Sequence, residues 1–172
     1  FAVIRNTYPQ LRDTTMRTVE QWLPTGEGGF GTLFKAEHRI VIDKLDVDLE
    51  IELLFRALDR PEHVSNLLSL ELTGAWVNEA REVPQAVINA LQGRVGRYPA
   101  VKDGGCRDPG VIMDTNPPDT DSWWYRLFEE KKPDNASLFK QPGGLDESAE
   151  NLFYLPPNYY QNMVGAMEAN EV

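Results

Sequence analysis

Residues 1–23, FAVIRNTYPQLRDTTMRTVEQWL, contain the pattern that decides the fold class. Phe1 to Ile4 are apolar and prone to form a strand, and the polar stretch Arg5 to Thr7 follows them. Pro9 suits the first turn of a helix, and Thr7 is a suitable N-cap for it. Apolar residues then recur at helical spacing: Leu11, Met16, Val19, Trp22 and Leu23. A strand, a polar tip and a helix in this order form the βα unit of an α/β domain.

The same order recurs twice further along the chain. The apolar stretch 67–77 ends at Asn78-Glu79, and a short helix follows from Pro84 to Gly93. The apolar stretch 111–113 ends in the polar residues 114–118, and a helix bearing Trp124, Leu127 and Phe128 follows. Three such units predict an α/β fold with a mainly parallel sheet and flanking helices.

The segment around 32–55 predicts a β-hairpin-like addition to that sheet. Between 45 and 53, apolar residues alternate with Asp46, Asp48, Glu50 and Glu52, which predicts a strand with one apolar and one acidic face. We expect it to pair with the segment 40–42 or with the strand around Leu33. Carboxylate clusters also bind metal ions in nucleases, but a solvated strand face is favoured because no further ligand converges from nearby sequence.

Length and charge limit the possible functions. With 172 residues and 41% hydrophobic content, we expect a single domain over 1–172 with its own core, a loop-rich segment at 130–150, and a C-terminal tail and helix at 151–172. No apolar run approaches the roughly 20 residues of a membrane-spanning helix. Seventeen basic against 27 acidic residues give a net charge of −10, so any contact with DNA must use a local patch.

Ligands of open parallel sheets bind at the carboxyl ends of the strands, so the polar tips are the candidate site. The stretch Ala75 to Glu79 resembles the Walker B arrangement of P-loop ATPases, in which a first acid helps to hold Mg²⁺ and a second activates water. Here the first position is Asn78 and the second is Glu79. An apolar strand followed by a glutamate also occurs without any such function.

Two further tips carry candidate residues with a structural alternative. Thr115 and Asn116 close a predicted parallel strand and could sense a γ-phosphate, or they form an ordinary turn before Pro117. Arg5, Thr7 and Arg12 surround a helix N-terminus and suit a nucleotide phosphate or a DNA backbone. Their alternative is a capped helix with solvated arginines.

Taken in order, five stretches resemble the ATPase domain of the tailed-phage terminase large subunit, the motor that packages DNA into proheads. They span nearly the whole chain, and their order and spacing are specific. The stretches are VIRNTYPQLRDTT (3–15), LFRALDRPEHVSNLLSLELTGAWVNEAREVP (54–84), GRVGRYP (93–99), VIMDTNPPDTDSWWYRLFEE (111–130) and QPGGLDESAENLFYLPPNYY (141–160).

The resemblance implies a P-loop ATPase core of the additional-strand, catalytic-glutamate type. Glu79 then matches the catalytic glutamate, Asn78 the position of the Mg²⁺-site acid, and Thr115 with Asn116 the coupling motif. The sequence contains no Gly-x-x-x-x-Gly-Lys-Ser/Thr phosphate loop, which such an ATPase needs. The resemblance places that loop upstream of Phe1 and a nuclease domain after Val172. ATP and Mg²⁺ are therefore implied for the intact parent, and none is expected on this fragment.

The resemblance also implies partners. Related terminases complete the site with an arginine, from a neighbouring subunit or in cis, for which the candidates are Arg60, Arg94 and Arg97. The implied partners are double-stranded DNA, the terminase small subunit, the portal protein and further copies in a homo-oligomeric ring, in the host cytoplasm and without a membrane. The expected function is ATP-driven DNA translocation, with the isolated chain inactive. The alternative is a non-enzymatic, truncated or degenerate α/β module that binds a partner protein.

Overall fold

The computed structural model describes residues 1–58 and 63–168 and contains one six-stranded sheet. The strands run in the order β2-β3-β4-β1-β5-β6. Their bounds are Ala2–Arg5 (β1), Gly31–Phe34 (β2), Arg39–Ile42 (β3), Ile51–Ala57 (β4), Gly74–Val77 (β5) and Gly110–Met113 (β6).

The four strands β4, β1, β5 and β6 are parallel, and the β2-β3 hairpin extends them antiparallel from β4. Val3 pairs with Phe55, and Ile4 pairs with Val77. The prediction of a mainly parallel sheet with a hairpin-like addition is therefore confirmed.

Five helices accompany the sheet in the described residues. Helix α1 covers 8–22 as three consecutive segments, Tyr8–Gln10, the π-helical Leu11–Met16, and Arg17–Trp22. The others are α2 (Val64–Leu68), α3 (Gln85–Gln92), the π-helical α4 (Tyr125–Lys131) and α5 (Tyr159–Glu168). Short 3-10 turns occupy Lys35–Glu37, Ala80–Glu82, Val101–Asp103 and Leu152–Tyr154. None of the helices described has the length and apolar character needed to cross a membrane.

The central strand β1 is buried on both faces because helices cover both sides of the parallel sheet. Its alternate residues point to opposite faces: Ala2 and Ile4 pack with α3 and α4, whereas Val3 packs with α1. On the first face α3 contributes Val87, Ile88 and Leu91, α4 contributes Phe128, and Trp124 packs with them from just before α4. On the second face α1 contributes Leu11, Met16 and Val19. The predicted helical spacing describes the buried face of α1 for Leu11, Met16 and Val19, and Leu23 packs against it partly buried. The prediction is wrong for Trp22, which lies at the end of the helix and is 75% exposed.

The predicted strand over 45–53 is wrong in its first half. Strand β4 begins only at Ile51, which pairs with Ile42, the last residue of β3. Residues 45–50 lie beyond the end of β3 and have no ladder partner in it, so alternation alone does not make them a strand. The expected pairing with the segment 40–42 is confirmed.

The chain forms two compact units, 1–131 and 132–172. The first contains the sheet. In the second, residues 132–151 form irregular chain with short turns and bends, and the 3-10 turn Leu152–Tyr154 and helix α5 follow. The assignment of the whole chain to one ATPase domain stays a prediction.

Candidate functional site at the carboxyl ends of the parallel strands

Three neighbouring strands end side by side. Strand β1 ends at Arg5, β5 is followed by Asn78 and Glu79, and β6 is followed by Asp114 to Asn116. The parallel register aligns Val77 with Met113, so these tips lie at one edge of the sheet, where open α/β folds bind ligands.

Asn78 joins the three strand ends through its amide. Its Oδ1 accepts hydrogen bonds from Arg5 Nη1 (3.3 Å) and from Thr15 Oγ1 (2.8 Å), and its Nδ2 donates to Asp114 Oδ2 (2.8 Å). Its backbone N–H donates to the carbonyl of Ile4 (2.9 Å). An amide oxygen has two lone pairs, and both are used here. Asn78 therefore fits a structural clamp and does not fit a ligand for Mg²⁺ or for a metal-bound water.

Glu79 has a left-handed backbone conformation, with φ 51° and ψ 53°. For a residue other than glycine this conformation costs roughly 1–2 kcal/mol. Its neighbour Ala80 donates its N–H to the carbonyl of Asp114 (2.9 Å), and the N–H of Glu79 lies 3.5 Å from Asp114 Oδ2. Such strained residues persist where the surroundings hold them, and they are frequent at functional sites.

The carboxylate of Glu79 is loosely held beside the tip of β6. Asn116 donates to it from its backbone N–H (3.5 Å) and from Nδ2 (3.4 Å), and Arg5 Nη1 lies 4.0 Å away. The side chain of Glu79 is 22% exposed. A carboxylate with long contacts and access to solvent is able to accept a proton from a water molecule.

Arg5 is a buried cation between two carboxylates. Its side chain is 10% exposed, and its Nη2 lies 3.8 Å from Glu82 Oε2. Gln10 Nε2 also donates to that carboxylate (3.2 Å). The Nε of Arg5 is buried and has no hydrogen-bond partner in the part of the chain that the structure describes. Arg5 therefore joins the cluster around Glu79, as its place at a strand tip suggested.

Thr115 also lies at this edge, but its hydroxyl has a different status. Its Oγ1 is buried and lacks a hydrogen-bond partner within the described ranges. A buried hydroxyl without a partner costs free energy, so Thr115 is a polar group at this edge whose hydrogen bond the described residues do not supply.

Thr7 and Arg12 do not join the cluster. Thr7 is the N-cap of α1, and both its N–H (3.2 Å) and its Oγ1 (2.8 Å) donate to Gln10 Oε1. Arg12 is 59% exposed in its side chain, and its Nε lies 2.7 Å from Asp13 Oδ1. Their hydrogen bond raises the pKa of Arg12 and lowers the pKa of Asp13. These contacts favour the capped helix with solvated arginines for this pair.

The candidate arginines lie elsewhere. The N–H of Leu72 donates to the carbonyl of Arg94, and the N–H of Arg97 donates to the carbonyl of Leu72. Leu72 precedes β5 whereas Glu79 follows it, and the four extended residues of β5 alone span roughly 13 Å. Arg94 and Arg97 therefore lie toward the opposite edge of the sheet from Glu79. Arg60 lies outside the described residues.

Sequence analysis missed Asp114 and Thr15. Asp114 is the first residue after β6, the position equivalent to Asn78 after β5, so the same tip argument applied to it. Thr15 is 2% exposed and follows Leu11 by one helical turn. A threonine on the apolar face of α1 needs a hydrogen-bond partner for its hydroxyl, and this placement was the available sign of its role.

No metal cluster replaces the missing acid at position 78. Across 1–58 and 63–168, no three His, Cys, Asp or Glu side chains are arranged to hold a metal ion. The acidic residues Asp46, Asp48 and Glu50 lie outside any strand, and Glu52 pairs with Arg39 (3.0 Å).

Comparisons with known proteins place the fold in a class. No family model matches the sequence, and no curated protein does. Among solved structures, the mixed, mainly parallel α/β arrangement is similar to that of a phage large terminase, a P-loop-like fold. The structure of the large terminase from a thermophilic bacteriophage aligns with a TM-score of 0.58 and 15% identity, over 77% of this chain and 30% of that one.

Two other structures align as well. The same terminase in complex with ADP gives a TM-score of 0.53 at 16% identity, with the same coverage of 77% and 30%. The large terminase ATPase domain of a Thermus phage aligns over 87% of this chain and 56% of its own at 18% identity, with a TM-score of 0.42. The alignment thus covers only 30% of the length of the terminase whose fold this chain shares.

Proposed function

We propose that this chain is part of the ATP-hydrolysing domain of a phage DNA-packaging motor, with Glu79 as the residue that activates water. The observation that carries the proposal is the convergence of Glu79, Arg5 and Asn116 at the carboxyl ends of parallel strands. The fold shared with a large terminase supports it, and so does the ADP bound in one of the terminase structures.

In this proposal each residue at the edge has a distinct task. Glu79 accepts the proton of the attacking water, since its carboxylate has only long contacts. Asn116 contacts that carboxylate, and Thr115 offers its buried hydroxyl, so both would respond to a γ-phosphate and relay its loss. Bound ATP with Mg²⁺ would supply the reacting phosphoryl group. Asn78 would act by holding the strand ends together.

With Arg94 or Arg97 as the arginine that completes the site, we propose that it comes from another copy. Arg94 and Arg97 lie toward the opposite edge of their own sheet, so either would reach a nucleotide only across a subunit boundary. A homo-oligomeric ring on double-stranded DNA, in the host cytoplasm and with the small subunit and portal protein as partners, would provide that boundary. These partners are proposals that rest on the resemblance to terminases.

The parent open reading frame tests the proposal directly. We expect it to encode a phosphate loop upstream of Phe1 and a nuclease domain downstream of Val172. The protein extended upstream should hydrolyse ATP, and the 172-residue chain should not. A native start codon near Phe1 together with a stop codon near Val172 would contradict the motor function.

The alternative function is a non-enzymatic module that binds a partner protein. The engaged amide of Asn78 favours it, because the site then lacks the acid that usually holds Mg²⁺. Under this alternative the extended protein would show no ATP turnover, although it would fold and bind its partner. ATP turnover that depends on Glu79 would exclude it.

A further inference from the structure

At the carboxyl ends of the parallel strands, the residue that follows β6 has a carboxylate side chain, whereas the residue that follows β5 has an amide side chain. Asn78 and Asp114 are the first residues after two paired strands, and their side chains meet with Asn78 Nδ2 at 2.8 Å from Asp114 Oδ2. The negative charge expected on the β5 tip therefore lies one strand away, in direct contact with the position that lacks it.

Asp114 also holds the residue that follows Asn78. Its Oδ1 accepts a hydrogen bond from Trp76 Nε1 (2.6 Å), and its Oδ2 lies 3.5 Å from the N–H of Glu79. Its backbone carbonyl accepts the N–H of Ala80 (2.9 Å). One residue thus binds the chain on both sides of Glu79, at the point where the backbone is left-handed.

We propose that Asp114 is the positioning residue of this site: it supplies the carboxylate that Asn78 does not provide and fixes the backbone of Glu79. The proposal rests on the proposed function only for what Glu79 does. The contacts of Asp114 are made with other residues of this chain, so they do not depend on a nucleotide or on the proposed function.

The hydrogen bonds explain why one amide and one carboxylate are needed here. Carboxylates at both positions would place two acceptors about as close as the present 2.8 Å contact, with no proton between them. Amides at both positions would leave two donors facing each other, either between Asn78 and residue 114 or between residue 114 and Trp76, since Trp76 Nε1 is itself a donor. An exchanged pair, with Asp at 78 and Asn at 114, would keep the contacts to Arg5, Thr15 and Trp76, because each of these donors retains an acceptor. The amide nitrogen at 114 would face the N–H of Glu79 as a second donor, so only the 3.5 Å contact to Glu79 would be lost.

A double-mutant cycle on the 172-residue chain tests the proposal. The variants are Asn78→Asp, Asp114→Asn and the exchanged double variant, and urea unfolding is followed for each. We expect each single change to lower the folding equilibrium constant by roughly 10-fold or more, about 1.4 kcal/mol. The double variant should recover to within about 3-fold of the original chain. Asp119→Asn is the matched control, because that side chain is 88% exposed, and it should change nothing.

Nuclear magnetic resonance gives a second readout that reports position rather than stability. Asp114→Asn should shift the indole N–H signal of Trp76 and the amide signal of Glu79. The double variant should bring the Trp76 signal back toward its original place and leave the Glu79 signal shifted, because the amide nitrogen at 114 cannot accept from that N–H. Asp119→Asn should leave both signals unmoved.

The outcomes separate this proposal from the proposed function. A double variant that loses as much as the two single variants combined, or that fails to fold, would overturn the role of Asp114. The measurement uses no nucleotide. An extended protein without ATP turnover would refute the motor function and would leave the result of the double-mutant cycle unaffected. ATP turnover in the extended protein, together with a double variant that does not recover its stability, would refute the role of Asp114 alone.

Discussion

Replacing Arg5 by methionine should destabilise the protein, because Arg5 is the buried cation that neutralises this edge of the sheet. Methionine keeps the apolar stem of the side chain and removes the guanidinium. The change leaves the carboxylates of Glu79 and Glu82 without the charge that now lies 4.0 Å and 3.8 Å from them. It also removes one of the two donors to Asn78 Oδ1.

The expected loss follows from these distances and exposures. Two unit charges 4 Å apart attract by about 4 kcal/mol at an effective dielectric constant near 20, and the desolvation of Arg5 offsets part of this gain. Removing one partner of a fully buried pair costs about 3–5 kcal/mol. Because the side chains of Glu79 and Glu82 are 22% and 33% exposed, we expect a smaller loss of about 2–3 kcal/mol. For a chain of this size the melting temperature would fall by about 4–12 °C.

Thermal and urea unfolding of the 172-residue chain measure this loss, with Arg12→Met as the matched control. Arg12 pairs with Asp13 on the surface, and exposed pairs contribute little to stability. The Arg12→Met variant should therefore unfold at the same temperature and the same urea concentration as the unmodified chain. Equal effects of the two substitutions would refute the claim that Arg5 neutralises a buried cluster.

Two further substitutions test the packing around the site. Thr15→Val removes the hydroxyl that donates to Asn78 at 2.8 Å and should lower the free energy of unfolding in urea by about 1 kcal/mol. The control Thr18→Val, on the exposed face of α1, should leave that free energy nearly unchanged. Equal losses in the two variants would show that the hydrogen bond contributes nothing. Phe55→Ala removes a side chain that is 1% exposed and should cost about 3–5 kcal/mol. Leu49→Ala at a position that is 51% exposed should cost far less, and a comparable cost would mean that the sheet does not bury Phe55.

The parallel part of the fold could be predicted because its local patterns agree with its packing. Each βα unit shows an apolar strand, a polar tip and a helix with an apolar face, and the tip residues Arg5, Glu79 and Asn116 do meet. Their meeting requires only that neighbouring strands are parallel, which is what strand-helix alternation predicts.

The remaining features depend on partners that sequence patterns do not show. Alternation continues through residues 45–50, but these residues have no neighbour to pair with beyond the end of β3. The role of Asn78 as a clamp depends on Thr15, which lies 63 residues earlier in the chain. The arginines Arg94 and Arg97 lie after a helix that returns toward the start of β5, so their distance from Glu79 follows from topology and not from spacing.

The turnover number for ATP of the upstream-extended protein, compared between the original sequence and Glu79→Gln, tests the central claim most directly. The substitution removes the base and preserves the shape of the side chain. We predict that turnover falls by roughly 100-fold or more while nucleotide binding is retained, and that Glu71→Gln, at an exposed position before β5, leaves turnover unchanged. Undiminished turnover in Glu79→Gln would contradict the account, because the water would then be activated by another group.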